Sequence, residues 1–225
     1  MSRDRWGLTS RPCDDVFTSS DVPRRLTTAF QRLRKNLGRA ETLLDKFFDN
    51  PAGAPRHAGQ PEAHEQEMLR SVLVLAIGAL DAYLSDLLIE TIPRIAKVSS
   101  AQAVFDQLAK ARPGLLLRAF FVGKEQLQQE LIEVLEAEFA GDSMHGSRAI
   151  VRVSDWCALE LGWRDFNTDD FPEAMRVLDE WTDKRHRIVH RGELVRLRRA
   201  DATNIIKLVR SIGKTLNDRV IQRYG

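Results

Sequence analysis

The stretch Asp183-Lys-Arg-His-Arg-Ile-Val-His-Arg-Gly192 gathers the residue types best suited to chemistry. Arginine supplies a permanent charge and a planar fork of donors that matches phosphate or carboxylate. Histidine exchanges protons near neutral pH. On a helix at about 100° per residue, with Leu178 set at zero, an apolar stripe spans about −80° to +60°. It holds Phe171, Ala174, Met175, Leu178, Trp181, Ile188 and Val189. Arg185 falls near −20°, inside that stripe, roughly as the helical period dictates. His186, His190, Asp179 and Asp183 share the flank at roughly 80° to 140°. An arginine among apolar neighbours cannot shed its proton, so it requires a carboxylate, a phosphate or a water-filled cleft.

Arginine with histidine suits RNA cleavage without a metal. A histidine takes the proton from a ribose 2′-hydroxyl or gives one to the departing 5′-oxygen. An arginine braces the charge that grows on the phosphorane oxygens. The attack is internal, so the products carry a 2′,3′-cyclic phosphate and a 5′-hydroxyl. Other readings of the same residues stay open. Arg185 also fits a structural ion pair with Asp81, a carboxylate within an apolar helix. His186 and His190 stand at the i, i+4 spacing of two metal ligands, although no Cys or Glu-x-x pattern joins them. Arg187, Arg191, Arg196, Arg198 and Arg199 fit either phosphate contacts or a solvated basic surface. Trp156, Trp163 and Trp181 read as core or interface before base-stacking platforms.

The elements that must position these residues read as helices. Residues 1–22 read as an irregular arm. From Pro23, Leu26, Phe30, Leu33, Leu37, Ala40, Leu44 and Phe47 recur at the helical period. A Pro/Gly-rich loop at 50–62 stops that helix. A long helix follows over about 61–92, apolar nearly all round from Met68 to Leu80, as expected of a bundle centre. Pro93 is expected to end or kink it. Shorter helices are expected over 99–122, an acidic amphipathic one over 124–140 and another over 147–161. Asp170 and Glu173 have capping-box spacing, with Pro172 in the first turn of the helix that ends near His190. A last helix is expected over 201–221. No strand pattern or repeat is visible, so the class is all-α, with residues 23–225 forming a single helical domain.

Composition narrows the function classes. The chain of 225 residues is 43% hydrophobic and 29% charged, enough for a core and unlike a disordered chain. Two cysteines, Cys13 and Cys157, exclude a disulfide scaffold and a Cys-based zinc site. Residues 1–15 lack the apolar run of a signal peptide, and Ser71–Leu80 is too short to span a bilayer, so a cytoplasmic protein without a membrane partner is expected. The net charge of +2 conceals an asymmetry. Residues 176–225 hold 13 Lys/Arg against 6 Asp/Glu, a net of +7, which suits an anionic partner such as nucleic acid.

The signature stretch also resembles a known family. Arg185-His186-Arg187-Ile188-Val189-His190-Arg191 is similar to the Arg-x4–6-His signature of the HEPN superfamily, with His186 as the polar residue after the arginine. Ile-Val-His-Arg-Gly resembles the RiboL-PSP-HEPN subgroup, and Ala79–Leu88 resembles that group's long early helix. The resemblance implies a HEPN-like up-and-down helical bundle with additional short helices. It implies a homodimer whose signature helices face each other, so that two Arg and two His line one cleft. It implies a metal-independent endoribonuclease without a cofactor, of the kind used as a toxin or anti-phage effector and restrained by a cognate antitoxin. Arg185 and His190 become the catalytic pair, His186 and Asp81 their supports, and Arg187, Arg191 and Arg196 the RNA contacts. A catalytically silent HEPN module that binds RNA or scaffolds a partner is the alternative. A helical metal-binding protein using the two histidines is a third reading.

Overall fold

A computed structural model of the chain describes residues 26–48, 62–95 and 146–225. The arm at 1–22 and the helices expected over 99–122 and 124–140 lie outside the described residues. Within them the chain forms α1 (Thr28–Phe48), α2 (Ala63–Ile95), α3 (Ser147–Trp156), a 3-10 turn (Trp163–Phe166), α4 (Ala174–Arg191) and α5 (Arg199–Tyr224). No strand occurs among the described residues, so the architecture is all-α.

α1 forms where the sequence period places it, and Leu33, Leu37, Ala40 and Leu44 are buried along one stripe. Its first turn is capped by Thr27, whose Oγ1 accepts the Phe30 N–H at 3.1 Å. Glu90 of α2 accepts the Ala29 N–H at 2.9 Å. Thr27 itself donates from N and Oγ1 to Asn217 of α5 at 3.0 and 2.9 Å. These bonds, with the Arg32–Asp86 contact at 3.2 Å, set α1 antiparallel to both α2 and α5. The approach of α1 to α5 requires Gly213, because a Cβ there would lie 2.3 Å from Leu33 Cδ2. Tyr83 ties α2 to the same point by donating its hydroxyl to the Gly213 carbonyl at 3.0 Å.

α2 is the central helix, with Leu69, Leu73, Ile77, Leu80, Leu84, Leu87 and Ile92 buried. The Ala63–Ile92 segment is long and apolar enough to cross a membrane by composition, and here those side chains build the bundle core. That is longer than the apolar run read from the sequence, because the flanking charges are spaced widely. Pro93 does not stop the helix, which continues to Ile95. α1 and α4 each pack on both α2 and α5 and scarcely touch one another. The α2–α5 pair therefore separates α1 from α4.

α3 ends at Trp156, short of the expected 161. Ala158 and Glu160 take positive φ values of 48° and 56°, which turns the chain out of the helix. Leu159 and Leu161 then enter the core, and their burial offsets the local strain. α5 extends beyond expectation at both ends, and Asp201 caps it by accepting the Arg198 N–H at 2.8 Å.

Candidate active site

The candidate site lies along the last turns of α4. The start of that helix differs from the expected capping box. The helix begins at Ala174, so Pro172 precedes it, and Glu173 makes no side-chain cap bond. Asn167 provides the cap instead, its Oδ1 accepting the Ala174 N–H at 3.2 Å. A tight turn, with Thr168 and Phe171 exchanging backbone bonds at 3.0 Å each, occupies the residues between.

The apolar stripe forms as its spacing predicts over Ala174, Met175, Leu178 and Trp181, all buried. It thins towards the C-terminus. Ile188 is half-buried against the core, and Val189 is 44% exposed rather than buried. Asp179 leaves the His/Asp flank for a structural task. Its carboxylate accepts the Ser147 N–H and the Ser147 hydroxyl, each at 2.7 Å, and so caps α3. Gly146, at φ 91°, permits this turn, and a Cβ there would meet Asp179 Oδ1 at 3.2 Å.

Arg185 is half-buried, and its Nε is a buried donor without a hydrogen-bond partner. Thr182 Oγ1, three residues earlier on the same face, is likewise buried without a partner. Neither a hydrogen bond nor an ion pair joins Arg185 to Asp81 among the described residues. Asp81 is half-buried on α2 and has interactions of its own. His186 and His190 are exposed, and their rings lie 4.7 Å apart at 41°. His190 is five residues after Arg185, about 7.5 Å along the helix. Among the described residues, no three or more His, Cys, Asp or Glu side chains converge as a metal site would require.

Gly192 ends α4 in the left-handed conformation, φ 62° and ψ 23°, and Glu193 N–H closes back on the Arg187 carbonyl at 3.1 Å. This reversal aims the Glu193 carboxylate at the helix it has just left. It binds Arg187 Nε at 2.7 Å and lies 3.9 Å from Arg191. The Arg187 hydrogen bond, then the charges of Arg187 and Arg191, hold Glu193 below its ordinary value. Arg187 is therefore neutralised by Glu193, whereas Arg191 and Arg196 stand exposed. The segment after Gly192 is strapped to α2. Arg70, buried and paired with Glu67 at 2.6 Å, donates to the Val195 carbonyl at 3.0 Å. Gln66 exchanges two bonds with the Leu197 backbone, at 2.8 and 3.0 Å. The end of α4 that carries His190 is thereby fixed against α2.

Sequence reasoning missed two of these participants, Glu193 and Thr182, and gave Asp179 a different setting. Glu193 lies across a glycine turn, where helical angles no longer apply. Thr182 carries no charge to mark it, and Asp179, placed on the His/Asp flank by helix geometry, instead caps a helix far away in sequence. No family model matches the chain, and no curated protein or solved structure matches it.

Proposed function

We propose that this protein is a HEPN-like, metal-independent endoribonuclease acting as a homodimer in the cytoplasm, with Arg185 and His190 as its catalytic pair. The observation that carries the reading is the Arg185 guanidinium. A cation that buries a donor without a protein acceptor is built to receive an anion from outside, and five residues on stands a histidine open to solvent. A phosphodiester supplies that anion, and the ribose beside it supplies a proton for the imidazole.

In the reaction, the 2′-oxygen forms a bond to the adjacent phosphorus and the bond from phosphorus to the 5′-oxygen breaks. One imidazole takes the 2′-hydroxyl proton, and a second protonates the 5′-oxygen. Arg185 holds the non-bridging oxygens as their charge grows. One helix carries His190 and Arg185 on faces about 140° apart, so a single copy brackets a phosphate poorly. Two copies facing each other across a two-fold axis supply both imidazoles. Val189 and Leu194, 44% and 75% exposed on and just after α4, offer apolar surface for such a contact. An unrestrained ribonuclease is toxic to its cell, which suits a toxin or anti-phage effector held by a cognate antitoxin.

The test is digestion of RNA with and without EDTA, followed by analysis of the ends. Cleavage that survives EDTA and leaves 2′,3′-cyclic phosphate supports the reading. Cleavage that needs a divalent metal, or no cleavage by a protein that still binds RNA, overturns it, the latter in favour of a silent module.

A further inference from the structure

α1 and α5 build a second basic surface on the side of the α2–α5 pair away from α4. Between them lies an open cavity of about 550 Å³ lined by Gln31, Arg34, Lys35, Glu41 and Arg210. Its lining carries three cations and one carboxylate, a net of +2 from 3 − 1. The carboxylate is spent on one of them, since Glu41 binds Arg210 at 2.8 Å. Arg34 and Lys35 are exposed and make no ion pair among the described residues. The trough follows from the packing. Gly213 lets α1 and α5 meet closely, which brings outward-facing cations of both helices to one rim. Gly38 lies on the stripe of α1 that includes Arg34, Lys35 and Glu41, and a Cβ there would meet nothing within 4 Å. Lys207, exposed one turn before Arg210, continues the charge along α5.

We infer that this groove binds the phosphate backbone of single-stranded RNA, as an exosite separate from the cleavage residues on α4. The lining has no apolar side chain, which disfavours a buried organic ligand. Unpaired cations along an open trough are what a phosphodiester chain requires. The inference rests on the reading of the protein as RNA-directed, and it assigns the groove to holding the strand rather than cutting it.

The probe is an end-labelled 2′-O-methyl RNA of mixed sequence, which binds but cannot be cut because its 2′-oxygens are blocked. Anisotropy titrations over a range of salt compare the wild-type chain with Arg34→Gln/Lys35→Gln. The double variant is expected to bind about tenfold more weakly, with a log–log salt slope smaller by about 1.4, two single-strand phosphate contacts. Glu41→Gln should act in the opposite direction and tighten binding several-fold, because it releases Arg210. Unchanged affinity and slope in the double variant, or a wild-type chain that does not bind the probe, overturns the inference. Both variants should cut a dinucleotide substrate at the wild-type rate, since it is too short to span both sites. Groove-dependent binding without any cleavage would remove the nuclease reading alone. Dinucleotide cleavage without groove-dependent binding would remove the exosite alone.

Discussion

Replacing Arg185 by methionine separates a catalytic arginine from a structural one. The structure assigns this side chain no ion pair among the described residues, and its Nε is a buried donor left without an acceptor. Such a donor costs about 1–3 kcal/mol. Methionine retains an unbranched stem of similar reach and removes the donor. Because Arg185 is only half-buried, the gain should sit at the lower end. A stabilisation of about 1 kcal/mol corresponds to a rise in Tm of about 2–4 °C for a chain of this size. Cleavage should fall about 10²–10³-fold, the cost of removing one group that stabilises transition-state charge. The assay is a thermal melt beside initial rates on the same preparation. Breaking a buried ion pair would instead cost about 3–5 kcal/mol, a drop of roughly 6–20 °C. A fall of that size refutes the unpaired arginine. Wild-type cleavage by Arg185→Met refutes its catalytic role, whatever the melt shows.

His190→Ala should reduce cleavage by about 10²–10⁴-fold, the worth of a general acid or base, and leave the melt unchanged because the ring is exposed. A variant that cuts normally would transfer the role to His186. Asp179→Ala removes both bonds that cap α3 and should lower the urea-derived stability by about 1–2 kcal/mol, and an unchanged midpoint would contradict that cap. Sedimentation should show a dimer at micromolar concentrations, and a monomer at all concentrations would count against the composite cleft. Burial pushes the Cys157 thiol up to about 12, so at pH 8 it stays protonated and enclosed. In a Cys13→Ser background, iodoacetamide should label the protein only after denaturation, and rapid labelling of that native variant would show that the chain after α3 does not pack as described.

The helices were legible because burial follows a period that side-chain polarity reports. Leu33, Leu37, Ala40 and Leu44 recur at the spacing of one helix face, and each is buried. The boundaries were less legible because local signals compete with distant partners. Asp170 and Glu173 match a capping box, yet Asn167 caps α4 after a turn closed by Thr168 and Phe171. Pro93 reads as a stop, yet α2 runs on to Ile95, because its buried apolar face outweighs the one bond that Pro93 cannot donate back to the Ile89 carbonyl. α3 stops early because Leu159 and Leu161 have core positions that a continued helix would not reach.

The candidate site divides along the same line. The angle that places Arg185 within the apolar stripe comes from helix geometry alone, and its half-buried guanidinium agrees with it. What geometry on one helix cannot supply is the identity of the group facing that guanidinium. Asp81 is the carboxylate the sequence nominates, being a charge in the most apolar helix, but angles on one helix do not say which residue of another helix it meets. The fate of Arg187 shows the same limit. By charge and spacing it equals Arg191 as a phosphate contact, and only the left-handed turn at Gly192 swings Glu193 back to neutralise it. Arg187 is answered within the chain, while Arg185 keeps a buried Nε donor without a hydrogen-bond partner. A buried donor without an acceptor costs free energy, and that cost is the ground for proposing that an anion from outside completes it.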